Sequence, residues 1–321
     1  MCIGKCWAAF RRVMSPKRIL IIKLGALGDF VQAMGPFAAI RAFHPNARIT
    51  LLTTQGFADL ALACPWFDQV WLDDKPKLWQ LPRMMRLRKM LRDGCFERVY
   101  DLQTSDRSSS YFRLMGKVPE WSGIAPSCSH PHANPKRDVM HTIERQREQL
   151  ALAGITEIPP PDLSWVKADI SRYGLSHPFA LLCPGGAAHR PAKRWPHSRF
   201  AALGRWLDER GVQPVLLGTE KEESEIAAIR AVCPRAVDLA GRTSTLDIIA
   251  LARDGLAAIG NDTGPMHLIA AGGCPSLVLF SHESDPALCA PRGKVTVLRR
   301  PSLADLDEAE VEAALARMIG P

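Results

Sequence analysis

Residues 258–273, Ala-Ile-Gly-Asn-Asp-Thr-Gly-Pro-Met-His-Leu-Ile-Ala-Ala-Gly-Gly, contain the pattern that decides the fold of the chain. The apolar residues 256–259 predict a buried strand, and the Gly-Asn-Asp that follows ends it. Thr263 is a suitable N-cap and Pro265 suits a first helical turn, so a helix is predicted directly after the strand. Backbone N–H groups and the helix dipole at this point favour an anion, above all a phosphate. An ordinary capped turn would show part of the same pattern.

The same alternation of strand and helix continues along the whole chain. Strands are predicted at residues 18–22, 48–53, 69–72 and 98–102 in the first half, and at 179–183, 214–217, 237–239, 256–259, 276–280 and 295–298 in the second. Helices are predicted between them, among them residues 29–43, 77–92 and 264–271. Such alternation is typical of parallel sheets. The predicted fold class is therefore α/β, with two successive domains and a cleft between them.

Domain boundaries follow from the chain length and from one proline run. A chain of 321 residues is long enough for two domains with separate cores. The sequence Ile-Pro-Pro-Pro-Asp at residues 158–162 predicts a stiff, extended linker. The predicted divisions are an N-terminal extension at 1–16, a first domain at 17–157, a linker at 158–177, a second domain at 178–300, and a C-terminal helix at 301–321 that packs back on the first domain.

Composition and charge restrict the class of protein without choosing a ligand. A net charge of +8 favours anionic partners such as nucleotides, phosphorylated glycans or a membrane surface. The nine cysteines contain no C-x-x-C pair, which favours reduced thiols. The most apolar window, residues 19–40, contains Lys23 and Asp29, so no membrane span is predicted. We expect a cytoplasmic protein with no nucleic-acid partner, and the sequence leaves its oligomeric state open.

The predicted helix at residues 77–92 is both apolar and basic. Its basic side chains are Arg83, Arg86, Arg88, Lys89 and Arg92. A solvated helix face is the simple interpretation of such a run. The alternative is a basic patch that faces an acceptor or the inner face of the cell membrane.

Candidate chemistry in the first half lies after two predicted strands. The loop at residues 25–28, Gly-Ala-Leu-Gly, is not the G-x-G-x-x-G of dinucleotide-binding proteins. Asp29 follows it at a predicted helix start, where a carboxylate needs no function to be favoured. Gln103 and Arg107 follow another strand, on the edge where open α/β sheets usually bind ligands.

Two further strand ends in the second half carry candidate ligand groups. After the strand at 179–183, Gly185 and Gly186 form a turn that allows close backbone approach, and Lys193 is predicted to bind a phosphate. After the next strand, Gly218 precedes acidic residues at 220–223, which could accept hydrogen bonds from a ribose or cap a helix. No metal-binding or Walker A motif occurs, so metal-independent chemistry without a cofactor is expected.

Three segments resemble glycosyltransferase family 9, the heptosyltransferases of lipopolysaccharide synthesis. They are residues 21–29 (Ile-Ile-Lys-Leu-Gly-Ala-Leu-Gly-Asp), residues 184–186 with 191–196 (Pro-Gly-Gly and Pro-Ala-Lys-Arg-Trp-Pro), and residues 261–267 (Asn-Asp-Thr-Gly-Pro-Met-His). Weaker landmarks are residues 99–103 and 141–145. The resemblance implies a GT-B fold of two facing Rossmann-like domains. It also implies an ADP-heptose donor, a lipid A–inner core glycolipid acceptor, and inversion at the anomeric carbon without a metal.

The resemblance also implies roles for individual residues. Asp29 matches the proposed catalytic base, and Lys193 matches the lysine on the donor pyrophosphate. Glu222 falls where the family has a ribose-binding acid, although Glu220 is the other candidate. The remaining implied donor-binding residues are Asp262, Thr263, Gly264 and His267, with Gly185, Gly186 and Gly218; the acceptor-side residues are Gly28, Gln103 and Arg107.

Departures from the family pattern leave other functions open. Gly25 and Ala26 stand where the family has small hydroxyl residues, and residues 30–32 also differ. Because these positions lie on the acceptor side, they concern the acceptor and the sugar that is transferred. One alternative is a different nucleotide-sugar enzyme on the same fold, such as an epimerase. The other is a non-catalytic protein that binds a nucleotide sugar or a glycan.

Overall fold

The computed structural model describes residues 16–117, 119–186 and 189–320. The predicted N-terminal extension therefore lies outside the described residues, apart from its last position. Within the described part of the chain, no helix is long and apolar enough to cross a bilayer.

The first domain is built on one sheet of six parallel strands. These are β1 (Arg18–Ile22), β2 (Arg48–Thr53), β3 (Gln69–Leu72), β4 (Arg98–Asp101), β5 (Glu120–Gly123) and β6 (His130–Pro131). They lie in the order β3-β2-β1-β4-β5-β6, and every pairing is parallel. β1 is almost completely buried because helices cover both faces of the sheet. Among the strands of the first domain, β5 and β6 lack a sequence prediction.

Six helices connect the strands of the first domain. They are α1 (Leu27–Gln32), α2 (Met34–Phe43), α3 (Ala58–Ala63), α4 (Leu81–Asp93), α5 (Asp106–Leu114) and α6 (Thr142–Leu152). The single helix predicted at 29–43 is in fact two helices, which meet at Ala33. Pro36 explains the break, because a proline has no N–H to bond the carbonyl of Gln32 four residues earlier.

The second domain repeats the topology of the first. Its strands are β7 (Phe179–Cys183), β8 (Gln213–Leu216), β9 (Val237–Asp238), β10 (Ala257–Asn261), β11 (Ser276–Phe280) and β12 (Val295–Arg299). The order is β12-β11-β10-β7-β8-β9. Counted within each domain, both sheets have the Rossmann order 3-2-1-4-5-6. The strand order reverses beside β1 and β4 in the first domain, and beside β7 and β10 in the second; ligands bind at such points in open α/β sheets.

The helices of the second domain include one, at the C-terminal end, whose packing partner the sequence predicted wrongly. They are α7 (His197–Asp208), α8 (Glu223–Val232), α9 (Thr245–Asp254), α10 (Gly264–Ala271), α11 (Pro286–Cys289) and α12 (Glu308–Ile319). The C-terminal helix α12 was expected to pack on the first domain. It instead packs against α7 and β10, and buries Val311 and Leu315 in the core of the second domain. Trp195 reinforces this position, because its indole N–H donates to the Leu306 carbonyl at 2.9 Å.

The two domains are in direct contact through apolar side chains. One hydrophobic cluster includes Phe30 and Phe37 of the first domain together with Ile249 and Met266 of the second. The segment between the domains joins the same cluster through the buried Leu163. Burying one such side chain contributes about 1.5–3 kcal/mol. The apolar contact therefore holds the strand ends of both sheets on opposite sides of one cleft.

Candidate active site

Asp29 lies in the first turn of α1, on the wall of the cleft formed by the first domain. Its carboxylate accepts a hydrogen bond from the Ala26 N–H at 3.3 Å. A negative charge is favoured at a helix N-terminus, because the helix dipole and the free amides there are positive. The side chain is only partly buried, so a hydroxyl group in the cleft can reach it.

A buried lysine lies beside Asp29. Lys23 donates from Nζ to the Leu102 carbonyl at 3.1 Å. Burial lowers the pKa of Lys23 to about 8, while the carboxylates of Asp29 and Asp101 raise it. Burial also raises the pKa of Asp101 to about 6, although two backbone N–H groups donate to its Oδ1. At neutral pH, Lys23 therefore places a positive charge next to the Asp29 carboxylate.

Two of the three residues expected on the acceptor side, Gln103 and Arg107, hold backbone segments at the same edge of the sheet. Gln103 Oε1 accepts from the Leu24 N–H at 2.8 Å, and Arg107 donates to the Pro76 carbonyl at 3.1 Å. Sequence reasoning missed Lys75, whose Nζ donates to the Leu24 carbonyl at 3.2 Å. Its φ of 49° lies in the left-handed region, and no sequence pattern indicated this. These contacts fix the loop between β1 and α1.

Asn261, at the end of β10, holds together the wall formed by the second domain. Its Nδ2 donates to the carbonyls of Pro184 and Gly185 at 2.8 and 3.0 Å, and its Oδ1 accepts from the Trp195 N–H at 3.0 Å. The Gly-Gly turn at residues 185–186 and the segment that carries Lys193 are therefore fastened to one strand end. Asn261 is not among the predicted site residues. Its position at the end of a predicted strand could have indicated a role in the site.

Lys193 and Asp262, both predicted to bind the donor, form an ion pair. Lys193 Nζ lies 2.6 Å from Asp262 Oδ2, and both side chains are largely buried. Ser284 donates to the same carboxylate oxygen at 2.7 Å. Sequence reasoning missed Ser284, which lies in the polar run after β11. A phosphate that reached Lys193 would share its ammonium group with Asp262.

Glu222, rather than Glu220, faces the Gly-Gly turn. Glu222 Oε2 accepts from the N–H and hydroxyl of Thr219 at 2.9 and 2.6 Å, as in a capping box. A Cβ added at Gly185 would lie 3.2 Å from Glu222 Cδ, and one at Gly218 would lie 3.4 Å from Glu222 Cβ. Glu220 is exposed. Of the two candidate acids, Glu222 is therefore the one placed beside the predicted donor loops.

Helix α10 begins at Gly264, as the sequence predicts, and Thr263 occupies its N-cap position. The Thr263 hydroxyl donates to the Asn261 carbonyl at 3.1 Å and makes no side-chain capping bond. Its side chain therefore does not occupy the amides of the first turn. Pro265 has no N–H and the Met266 N–H donates to the Thr263 carbonyl at 3.2 Å, so the Gly264 N–H and the helix dipole are what favour a negative group here.

The two walls touch where α1 meets α10. A Cβ added at Gly28 would lie 2.8 Å from the His267 ring, and a Cβ added at Gly264 would lie 2.8 Å from Leu27 Cβ. Distances this short leave no room for a side chain at either glycine. The two glycines thus allow the backbones of α1 and α10, one from each domain, to approach closely at the centre of the site.

His267 lies at this contact and is only 7% exposed. Burial lowers the pKa of His267 to about 4, although the carboxylates of Asp262 and Asp29 both act to raise it. The imidazole is therefore neutral at pH 7. Its Nδ1 is buried without a hydrogen-bond partner in the described structure. The ring thus brings an unused polar atom to the boundary between the base candidate Asp29 and the donor candidate Asp262.

The arrangement combines a carboxylate on one wall with a lysine and a helix N-terminus on the other. Asp29 can accept a proton, while Lys193 and the first turn of α10 can stabilise negative charge. Within residues 16–117, 119–186 and 189–320, no group of three or more His, Cys, Asp or Glu side chains could hold a metal ion.

Two facing domains of Rossmann order form the GT-B fold, which glycosyltransferases share with other nucleotide-sugar enzymes such as a UDP-GlcNAc 2-epimerase. Comparison with protein families gives the assignment among these enzymes. The family model "Glycosyltransferase family 9 (heptosyltransferase)" matches residues 84–312, and the chain belongs to this family. The resemblance seen in the sequence is thereby confirmed.

Individual proteins agree with this assignment. The chain is 25% identical to lipooligosaccharide heptosyltransferase 2 of Haemophilus ducreyi over 88% of each sequence. It resembles the solved structure of ADP-heptose LPS heptosyltransferase II of E. coli with a TM-score of 0.78 and 24% identity, over 94% of this chain and 98% of that one. It also resembles E. coli heptosyltransferase WaaC with ADP-2-deoxy-2-fluoro heptose, with a TM-score of 0.75 and 19% identity, over 94% and 99% of the two chains.

Proposed function

We propose that this enzyme transfers a heptose from ADP-heptose to an inner-core lipopolysaccharide or related glycolipid acceptor. The transfer inverts the anomeric carbon, requires no metal, and uses Asp29 as the general base. Membership of the heptosyltransferase family supports the reaction class. One observation carries the mechanism: α1 and α10 meet so closely that Gly28, adjacent to Asp29, packs against the ring of His267 in the proposed donor loop.

The donor occupies the wall formed by the second domain. Its pyrophosphate binds Lys193 and the start of α10, where Thr263 and Gly264 present backbone amides. The Gly185–Gly186 turn passes close to the nucleotide, and Glu222, beside Gly218, accepts hydrogen bonds from the ribose. An ADP-sugar donor is supported by the heptosyltransferase WaaC, which has been solved with ADP-2-deoxy-2-fluoro heptose and resembles this chain over 94% of this chain and 99% of its own.

The acceptor occupies the wall formed by the first domain, near Gly28, Gln103 and Arg107. Asp29 takes the proton from its hydroxyl group as the oxygen attacks the anomeric carbon. The new carbon–oxygen bond forms while the bond to the donor phosphate breaks, and ADP leaves with the electron pair. Lys193 and the α10 amides stabilise the charge that ADP gains. Attack from the face opposite the leaving group inverts the configuration.

The proposed acceptor is anchored in a membrane, so the enzyme works as a peripheral protein at the inner face of the cell membrane. Its location is otherwise cytoplasmic. The basic net charge of the chain supports contact with an anionic surface.

The proposal is tested by incubating the enzyme with ADP-heptose, with and without a purified inner-core acceptor, and following both substrates by mass spectrometry. We expect a glycosylated product and ADP only when the acceptor is present, with unchanged yield in excess EDTA. The anomeric configuration of the product, read by NMR, should be opposite to that of the donor. Turnover of the donor without acceptor would favour an epimerase or hydrolase, and binding without turnover would favour a non-catalytic protein.

The identity of the donor is tested separately. ADP, UDP and GDP should stabilise the folded enzyme to different extents, because a ligand that binds only the native state raises its melting temperature. We expect the largest shift with ADP. A larger shift with UDP or GDP would overturn the heptosyl assignment and leave glycosyl transfer standing.

A further inference from the structure

We propose that residues 75–92 dock the enzyme on an anionic lipid bilayer by inserting an apolar ridge. The ridge consists of Leu78, Trp79, Leu81 and Met85. This inference rests on the proposed function, since a glycolipid acceptor gives the enzyme a reason to bind a membrane. Within residues 75–92, the apolar ridge and the basic side chains make separate contributions to binding the bilayer.

The charge of this segment is strongly one-sided. Residues 75–92 contain seven Lys and Arg side chains and no Asp or Glu, in a chain whose net charge is +8. Two of the seven are paired with neighbouring acids: Arg83 with Asp74 at 2.6 Å, and Lys89 with Asp93. Basic residues near an anionic bilayer gain favourable free energy from its surface potential. Five of the seven basic side chains therefore form no ion pair with an acid within the described part of the chain.

The apolar ridge lies at the N-terminal end of the same segment. Leu78, Trp79, Leu81 and Met85 are 81%, 73%, 66% and 63% exposed. Leu81 and Met85 are four residues apart in α4, so they share one face of the helix. Isolated exposed apolar residues are normal, but four within eight residues form a patch of the kind that marks an interaction site.

The apolar and basic groups are arranged as in an interfacial helix. Met85 lines one shallow depression together with Arg88, Lys89, Arg92 and Asp93, so three basic groups and one acid continue the face that begins with the ridge. The Lys77 ammonium lies 5.0 Å from the centre of the Trp79 ring, where a cation–π interaction is favourable. Tryptophan is enriched at membrane interfaces because one part of its ring is apolar and another can hydrogen-bond.

A bilayer fits this surface better than a protein partner does. An acidic protein would match the basic residues but would have to bury four exposed apolar side chains in complementary pockets. An anionic bilayer supplies both environments at once, because headgroups meet the cations while the acyl boundary takes up the apolar face.

The position of the segment connects docking with the cleft. Arg107 donates to the Pro76 carbonyl, and the Lys75 ammonium donates to the Leu24 carbonyl. These contacts join the start of the segment to the loop that leads to Asp29. A bilayer bound at the ridge would therefore lie beside the acceptor side of the cleft, where a lipid-anchored acceptor enters.

Co-sedimentation with vesicles tests the proposal. The full chain is mixed with phosphatidylglycerol–phosphatidylcholine vesicles or with pure phosphatidylcholine vesicles at two salt concentrations. We expect binding only to the anionic vesicles, weakened but not abolished by high salt, since screening removes the charge contribution alone. The triple variant Leu78→Ser/Trp79→Ser/Leu81→Ser should lose at least about 10-fold in binding at either salt concentration. The variant Arg86→Glu/Lys89→Glu should lose a similar factor at low salt only.

Exposed residues of the second domain provide matched controls. Val232→Ser and Arg230→Glu remove an apolar group and reverse a basic one far from the segment, and both should bind vesicles as the parent does. ADP should stabilise the ridge variant as much as it stabilises the parent, because the proposed ADP site lies in the second domain. An unchanged stabilisation shows that the ridge variant is folded. Parental binding by the ridge variant, or no binding of the parent to anionic vesicles, would overturn the proposal. A change in sedimentation velocity of the ridge variant without vesicles would assign the surface to a second copy of the chain.

The acceptor assay distinguishes this inference from the proposed function. With acceptor embedded in anionic vesicles, the ridge variant should transfer at least about 10-fold more slowly than the parent, because it partitions less to the bilayer. With delipidated acceptor in solution, the two should transfer at equal rates. Vesicle binding without any transfer would leave the docking surface standing and reject the heptosyl function. Equal rates on both acceptor forms would reject the docking surface.

Discussion

Asp29 is in a position that a structural role and a catalytic role would both explain. Its carboxylate accepts from the Ala26 N–H, as a helix-starting acid does, yet the adjacent Gly28 packs against the His267 ring of the predicted donor loop. Position alone does not separate the two roles, but the chemistry of the carboxylate does. An amide of the same size can still accept the backbone hydrogen bond, whereas it cannot take a proton from a sugar hydroxyl.

The variant Asp29→Asn is therefore expected to fold normally and bind ADP normally while losing transfer. Positioned acid–base groups contribute about 10²–10⁴-fold in rate, so transfer should fall by at least about 100-fold. Thermal melting, ADP binding and product formation are measured together. Asp59→Asn, which removes an exposed first-turn carboxylate from α3, is the control and should behave as the parent does. Near-parental transfer by Asp29→Asn would remove Asp29 from the base role.

Lys193 offers a second test at the scale of one residue. Its ammonium group is shared with Asp262, so Lys193→Ala removes a phosphate contact and leaves a buried carboxylate near the donor. Loss of one charge-assisted hydrogen bond costs about 1.5–3 kcal/mol, and ADP affinity measured by calorimetry should fall accordingly. Adding Asp262→Asn should recover part of the loss, because it removes the unpaired charge. Lys221→Ala, at an exposed lysine, is the control; unchanged affinity in Lys193→Ala would exclude Lys193 from the donor site.

The buried histidine predicts a dependence of stability on pH. Because the pKa of His267 is lowered to about 4 from its ordinary 6.5, the unfolded chain takes up this proton at a higher pH than the native state does. Stability is then lost as the pH falls from about 6.5 toward 4, by about 2 kcal/mol at pH 5. Urea unfolding of the parent and of His267→Asn should give curves whose difference shrinks by that amount between pH 7.5 and pH 5. His44 titrates in both proteins, so parallel curves would show that His267 is not buried as a neutral ring.

Among the elements of structure, those with long apolar runs could be predicted from the sequence. Helix α10 begins and ends at the predicted residues, because Thr263, Gly264 and the following apolar face all indicate the same start. Strand β5 has Trp121 as its only apolar residue and β6 is two residues long, so neither contains the apolar run that marks the predicted strands. The break between α1 and α2 could have been inferred from Pro36, whose missing N–H interrupts the helix.

The contact between α1 and α10 leads to a prediction about these two elements. Gly28→Ala places a Cβ within 2.8 Å of the His267 ring, so one helix must move away from the other. Overpacking of this kind costs about 1–3 kcal/mol, and the shift displaces Asp29 from the donor. We expect lower thermal stability and at least about 10-fold slower transfer, since small misplacements of reacting groups are costly. Gly56→Ala is the control, because a Cβ there meets nothing within 4 Å; equal effects of the two substitutions would show that close approach is not the cause.

For the whole molecule, the sequence predicted two domains and a cleft but not how distant segments meet. The amphipathic pattern of α12 indicates that one face is buried, without indicating against which domain, and the prediction was wrong for this reason. Likewise, Lys193 and Asp262 were each predicted as donor ligands, but residues 69 positions apart show no pattern that reveals their ion pair. Pairings of this kind depend on the tertiary packing of elements, which local periodicity does not encode.

Hydrogen bonds between the domains fix the orientation that the site requires. Gln32 of α1 donates from Nε2 to the carbonyls of Cys289 and Ala290 at 3.1 and 3.2 Å. His141 Nε2 also lies 3.0 Å from the Ala290 carbonyl. Because His141 Nδ1 accepts from the Ile143 N–H, its Nε2 carries the proton and donates. Two side chains of the first domain thus hold one backbone segment of the second.

Gln32 lies one helical turn after Asp29. Its hydrogen bonds to the second domain therefore predict an effect on catalysis from a residue outside the cleft. Gln32→Leu keeps the size of the side chain and removes both donated hydrogen bonds, which leaves two partly buried carbonyls with fewer donors. We expect ADP affinity to stay within about twofold of the parent, since the donor site lies in the other domain. Transfer should fall at least about 10-fold, because Asp29 is no longer held in register with the donor. Gln149→Leu is the matched control: Gln149 also donates to two carbonyls, those of Asp101 and Ser122, but both belong to its own domain. Small-angle scattering should show an increased radius of gyration for Gln32→Leu and an unchanged radius for Gln149→Leu. If Gln32→Leu kept both the parental radius and the parental transfer rate, these hydrogen bonds would not set the domain orientation.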